Sequence, residues 1–287
     1  MAPRAHRDLG MSATPRITGA TRLFAIIGDP IAQVRSPEVF TARFAANGID
    51  SVLVPVHIAS ADLEVVIPAL MKLRNLDGLL ITVPFKARMV RYAARLGVAA
   101  ECIGAVNALR REVDDSWTGD MFDGAGFLGG AVGKGQRLEG RRVALFGAGG
   151  AGSAIACALA DAGVASIDII DPEAGRADSL VAKLEAAFPQ CVLRAARSRP
   201  PDATMIVNAS PVGMQGGDGL PGDVGTLTPD MLVGDVVVKA VPTPLIDLAT
   251  RHGCVCVTGH DMLGGQIDAI MNFFAPRATM PLRSGPR

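Results

Sequence analysis

The first residues with chemistry to offer are glycines. The stretch Gly147-Ala-Gly149-Gly150-Ala151-Gly152 follows an apolar run at 142–147 and leads into a helix-period segment at 150–162. In a G-x-G-x-x-G loop of this kind, Gly147 makes the tight turn, Gly149 lets the backbone approach a pyrophosphate, and Gly152 seats the helix close on the sheet. Amides at the helix N-terminus complete an anion site. Asp171 closes the next predicted strand, 19 positions after Gly152. A carboxylate there accepts from both ribose hydroxyls and repels a 2′-phosphate, so the expectation is a dinucleotide site that prefers NAD to NADP. Asp171 also stands before Pro172, where it would cap the following helix, and the two roles are compatible.

The elements that must hold such a loop are visible around it. Apolar runs at 23–28, 51–58, 78–83, 142–147, 165–171, 204–208 and 234–238 read as strands, most of them continuous and rich in Val and Ile. Segments of helical character at 37–47, 61–74, 86–96, 150–162 and 173–187 alternate with them. Continuous apolar strands belong to sheets covered on both faces, which predicts α/β architecture with largely parallel sheets. Polar loops fill the first half, and a second strand, glycine loop and helix begins at Arg142, so two α/β domains are expected.

Composition narrows the function classes. The 28 Lys and Arg balance 28 Asp and Glu, and 49% of the chain is hydrophobic. That argues against disorder and against a nucleic-acid binder. The 33 glycines in 287 residues exceed the usual share of about 7%, and the phosphate loop is the expected place for the surplus. Cys102, Cys157, Cys191, Cys254 and Cys256 have neither C-x-x-C nor metal-ligand spacing, so free thiols in a cytoplasmic protein are expected, with no metal. Residues 1–19 carry scattered charge and no apolar core, and read as a flexible tail instead of a signal peptide. No segment reads as a membrane span.

Further motifs line up with one family. Gly28-Asp-Pro-Ile-Ala-Gln-Val-Arg-Ser-Pro37, Thr82-Val-Pro-Phe-Lys86, Gly104-Ala-Val-Asn-Ala-Leu109, Gly119-Asp-Met-Phe-Asp-Gly124, Asn208-Ala-Ser-Pro-Val-Gly-Met214, Thr243-Pro-Leu245 and Gly259-His-Asp-Met-Leu-Gly-Gly-Gln266 occur in order. In this the chain resembles shikimate dehydrogenases and the related quinate/shikimate dehydrogenases. The resemblance implies an N-terminal substrate-binding domain of residues 20–123 with 259–287, facing a Rossmann-type NAD-binding domain of residues 124–258 across a cleft. It implies reversible hydride transfer between nicotinamide and a cyclic hydroxy acid, 3-dehydroshikimate/shikimate, and a monomer or homodimer is expected. Lys86 and Asp123 take the catalytic positions, which suits a reaction that must protonate or deprotonate an alkoxide. Ser36, Thr82, Asn107 and Gln266 take substrate positions, and Asn208, Ser210, Gly213 and Met214 lie where the family's loop meets the nicotinamide and its ribose. Ordinary structural roles remain open for each: Asn107 as a loop-amide partner, Gln266 as a helix residue, Thr82 as a strand residue, Ser36 as a helix N-cap.

The departures from the family pattern are chemically consistent. Val34 stands where the first of two carboxylate-binding serines is usual, with Ser36 at the second. Val238 replaces a tyrosine, Leu80 an asparagine, Phe122 a threonine and Gln33 a histidine. A hydrogen bond to a charged group contributes about 1.5–3 kcal/mol, so losing two donors costs roughly 3–6 kcal/mol. Val34, Leu80, Phe122 and Val238 are thus expected to line a drier substrate pocket, with activity on shikimate or quinate weak and a less polar analogue as substrate, unless Arg35 supplies a bidentate contact. The family's NADP loop, Asn-Arg-Thr-x-x-Arg, reads Asp171-Pro-Glu-Ala-Gly-Arg176 here. That strengthens the expectation of NAD, with Arg176 alone pointing to NADP. A non-catalytic NAD-binding sensor is the rival reading.

Overall fold

A computed structural model describes residues 17–32, 34–215 and 217–278. Most of the expected tail, Gln33 and residues 279–287 lie outside the described residues. Two six-stranded sheets organise the chain. The first contains β1 (Arg22–Gly28), β2 (Ser51–His57), β3 (Leu76–Ile81), β4 (Arg95–Leu96), β5 (Ala108–Arg111) and β6 (Trp117–Asp120), in the order β2-β1-β3-β5-β6-β4. Its β1, β2 and β3 are parallel, and β5 runs antiparallel to β3 and β6. Helices α1 (Ser36–Ala46), α2 (Leu63–Leu70) and α3 (Val98–Ile103) connect these strands.

After α4 (Asp123–Gly133), the second sheet comprises β7 (Arg142–Phe146), β8 (Ser166–Ile170), β9 (Val192–Ala196), β10 (Met205–Asn208), β11 (Leu232–Asp235) and β12 (Val255–Val257). It is parallel throughout, in the order β12-β11-β10-β7-β8-β9. The connecting helices are α5 (Gly150–Asp161), α6 (Arg176–Glu185) and α7 (Pro244–Arg251). Strand order reverses between β7 and β10, and the crevice beyond the carboxyl ends of strands at such a reversal is where open α/β sheets bind ligands. The α/β expectation holds, with a wholly parallel second sheet and a mixed first one.

The final helix α8 (Gly259–Ala278) returns to the first sheet, where Ile270 and Phe274 join Phe24, Phe44 and Leu80 in one buried cluster. It also packs along α4 through small residues. A Cβ on Gly126 would lie 2.7 Å from the Met262 carbonyl oxygen, and one on Gly129 would lie 3.0 Å from the Gly265 Cα. The glycine surplus therefore serves this helix contact as well as the phosphate loop.

Several boundaries differ from expectation. Residues 86–96 form a 3-10 turn at Arg88–Tyr92 and then β4, because Arg95 and Leu96 pair with Thr118 and Gly119 of β6. Helix α6 starts late, after Gly175 adopts a left-handed φ of 78°. Strand β11 ends at Asp235, whose carboxylate takes the Val237 amide out of the ladder.

Candidate active site

Four elements distant in sequence converge on one carboxylate. Asp123 is the first residue of α4, where the helix dipole favours negative charge. Lys86 leaves the loop after β3 and donates from Nζ to Asp123 Oδ2 at 2.8 Å. The other oxygen, Oδ1, accepts from Asn107 Nδ2 at 2.7 Å and from Gln266 Nε2 at 2.6 Å. Asn107 is oriented in turn by the Phe122 amide, which donates to its Oδ1 at 2.9 Å. Asp123 is thus held by three donors, while the Lys86 side chain stays 31% exposed and open to a ligand.

These residues line a cavity of about 420 Å³ together with Ser36 and Thr82. Ser36 is the first helical residue of α1; the cap position belongs to Arg35, and no side-chain capping bond forms. The serine hydroxyl therefore has no capping role. Val34, Leu80 and Val238 line the same cavity. Phe122 does not: it is buried against Phe273, with ring centroids 5.0 Å apart, and its contribution is the backbone bond to Asn107. Arg35 reaches the cavity with its side chain 81% exposed and paired with Glu38 at 2.5 Å.

The glycine loop sits at the reversal point of the second sheet. Gly147 has φ of 101°, and a Cβ there would press within 2.9 Å of the Ala209 and Ser210 backbone. A Cβ on Gly152 would run into the Gly147 carbonyl oxygen. Gly149 caps α5, and Gly150 and Ala151 open it. No atom lies within 4 Å of a Cβ built on Gly149 or Gly150, leaving space above the helix N-terminus.

Asp171 faces inward. Its Oδ2 accepts the Ala148 amide at 2.7 Å and its Oδ1 the Glu173 amide at 2.9 Å, with only 4% of the side chain exposed. It fastens the glycine loop, and it does not cap α6, whose cap is Gly175. Arg176 lies beside it, 4.0 Å from Asp171 and 2.5 Å from Glu173, and is 46% exposed.

Asn208 is fully buried, donating to the Val212 carbonyl and to Asp235 and accepting from Ser210. Gly213 turns with φ of 96°, and Met214 is exposed. Asp235 was not singled out by sequence reasoning, since nothing in a strand-end aspartate separates a buried brace from a surface charge. Among the described residues no group of three His, Cys, Asp or Glu could hold a metal, and no helix is long and apolar enough to cross a membrane.

Residues 26–109 match the family model for the shikimate dehydrogenase substrate binding domain. A shikimate dehydrogenase (NADP(+)) of Rubrobacter xylanophilus is 36% identical over 258 residues, covering 88% of this chain and 89% of the relative. One of Rhodospirillum rubrum is 34% identical, covering 86% and 89%. The structure of Listeria monocytogenes shikimate 5-dehydrogenase in complex with shikimate and NAD superposes with a TM-score of 0.82 at 28% identity, covering 92% of this chain and 95% of that one. The expectation of NAD is corrected by the curated relatives, which are named for NADP(+), those of Listeria innocua and Geobacter metallireducens included. The physical reason lies in the loop: the Asp171 carboxylate, on which that expectation rested, is spent on backbone amides.

Proposed function

The chain belongs to the shikimate dehydrogenase family, and from that premise we propose an NADP-dependent oxidoreductase that interconverts a ring ketone and ring alcohol on a shikimate-type cyclic hydroxy acid. The observation that carries this reading is the Asp123-centred cluster of Lys86, Asn107 and Gln266 inside one cavity. A cofactor-binding sensor has no need of an ammonium held against a carboxylate in a ligand cavity.

The glycine loop fits a dinucleotide pyrophosphate, because the space above Gly149 and Gly150 is free of Cβ contacts. Arg176, half exposed at the end of the loop, would take the 2′-phosphate. Bound there, NADP supplies or accepts the hydride. In the reducing direction the Lys86 ammonium gives its proton to the oxygen of the carbonyl being reduced. In the oxidising direction the neutral amine takes that proton back. Asp123 holds the ammonium in place, and the Asn107 and Gln266 amides fix Asp123 from the cavity wall, where they would also meet ring hydroxyls. Thr82 and Ser36 offer two more hydroxyls from the cavity wall.

A second reading concerns the substrate's far side. Val34, Leu80 and Val238 make that wall apolar, which favours a cyclic hydroxy compound less polar than shikimate. NADPH formation from NADP, followed with shikimate, quinate and cyclic polyols lacking the carboxylate, tests both. Turnover of shikimate at the highest kcat/KM supports the first reading, and preference for the uncharged ring supports the second. Cofactor binding without turnover of any of them overturns the assignment.

A further inference from the structure

Beyond the cavity, a buried hydrogen-bonded cluster ties together the two loops at the carboxyl ends of β10 and β11. Asp235, 1% exposed, stands at its centre. Its Oδ1 accepts from Asn208 Nδ2 at 3.1 Å and from the Val237 amide at 3.0 Å, and its Oδ2 accepts from the Thr243 hydroxyl at 2.7 Å. Thr243 caps α7 and lies against Gly213, where a Cβ would approach within 3.2 Å. Asn208 holds the 209–214 loop through the Val212 carbonyl and Ser210. Lys239 adds an outer link, donating from Nζ to the Gly213 carbonyl at 2.9 Å.

The cluster stands between the glycine loop and the substrate cavity. One loop abuts Gly147 through the Ala209 and Ser210 backbone, and the other carries Val238 into the substrate cavity. A dinucleotide with its phosphates on the glycine loop and its reactive ring at the cavity must pass along both loops. Three buried polar side chains at this point cost desolvation that an apolar core would avoid. A cluster of hydrogen-bonded partners permits one arrangement of the two loops, where apolar packing tolerates several.

We propose that Asp235 is a positioning residue which, through Asn208 and Thr243, sets the distance between the two loops and so the placement of the hydride-carrying ring over the substrate. The proposal rests on the NADP reading above. It concerns the nicotinamide end, because the hydrogen bonds of Asp235, Asn208 and Thr243 reach neither Arg176 nor Gly149 and Gly150.

The test compares Asp235→Asn, Thr243→Val and Thr243→Ser in the full chain. Binding of 2′,5′-ADP reports the adenosine end, and kcat on shikimate with NADP reports ring placement. Small misplacements of reacting groups reduce rates by about 10–10²-fold, so Asp235→Asn and Thr243→Val are expected to lose roughly that much in kcat. Their 2′,5′-ADP affinity should remain within about twofold, and Thr243→Ser, which keeps the hydroxyl, should retain wild-type kcat. Unchanged kcat in Thr243→Val, or an equal loss in Thr243→Ser, overturns the brace. So does parallel loss of 2′,5′-ADP affinity, which marks a general scaffold role. Failure of the wild-type chain to bind 2′,5′-ADP overturns the cofactor reading itself.

Discussion

Gln266 Nε2 lies 2.6 Å from Asp123 Oδ1, across 143 residues of sequence. The contact exists because α8 folds back onto α4 with glycine at the crossing, bringing a C-terminal amide to the first residue of a mid-chain helix. Replacing Gln266 by Leu removes one of three donors to a carboxylate. A bond to a charged group contributes about 1.5–3 kcal/mol, so kcat/KM is expected to fall roughly 10–10²-fold. Steady-state rates on the best substrate check this, and an unchanged value would show that Gln266 neither orients Asp123 nor meets substrate.

Lys86→Ala and Asp123→Asn each break the ion pair to which the proposal assigns proton transfer. Acid/base groups contribute about 10²–10⁴-fold, and a loss of that order in kcat is expected for each. NADP binding, measured by calorimetry, should persist, because neither side chain touches the glycine loop. Near-normal turnover in either variant would defeat the assignment.

The parts of this site legible in sequence are those whose meaning is local. A strand, three spaced glycines and a helix are contiguous, so the 147–152 loop could be read directly. Lys86, Asn107, Asp123 and Gln266 are single polar residues in separate segments, and only the ordered family motifs linked them. Side-chain direction was not legible. Phe122 sits beside Asp123 in sequence yet turns into the core against Phe273, and Asp171 ends the expected strand yet points back at Ala148. The α4 and α8 glycines follow no phosphate-loop pattern because their role arises only when two helices meet.

The proposed 2′-phosphate contact at Arg176 is testable at the cofactor's adenosine end. It is held by Glu173 at the surface, a pairing of small net value between exposed groups, so a 2′-phosphate can recruit it. Arg176→Ala is expected to raise KM for NADP by about 10–10²-fold, the worth of one charge-assisted contact, with little change in KM for NAD. Glu173→Gln should lower KM for NADP by releasing the guanidinium. An Arg176→Ala chain with unchanged KM for NADP would place the 2′-phosphate elsewhere.

Two glycines of α4 predict opposite outcomes for the same substitution. A Cβ on Gly126 falls 2.7 Å from the Met262 carbonyl oxygen and 2.8 Å from the Gln266 Cβ, whereas nothing lies within 4 Å at Gly133. Overpacking costs about 1–3 kcal/mol, so Gly126→Ala should lower Tm and also reduce kcat by displacing Gln266. Gly133→Ala should leave kcat unchanged and raise Tm slightly, since alanine is favoured over glycine in helices by about 0.5–1 kcal/mol. Equal effects of the two on Tm would contradict the close helix contact.

Asp120 supplies a pH test of the fold that positions Asp123. Its Oδ1 accepts the Ala100 and Met121 amides, capping α3 from β6, and a Cβ on Gly97 would collide with its carboxyl group. Burial pushes the Asp120 carboxyl up, outweighing the two amide bonds that lower it. A raised native value means the folded chain keeps this proton where the unfolded chain, with a carboxyl near pH 3.9, has lost it. The resulting stability is fully present below about pH 3.9 and is lost as pH rises through the native value. Asp120→Asn has no proton to lose and can still accept both amides. The difference in Tm, variant minus wild type, is therefore expected to grow between pH 4 and pH 7. Thermal unfolding of both chains across that range checks it, and a difference that stays constant or shrinks would mean that the two amides, not burial, set the charge of Asp120.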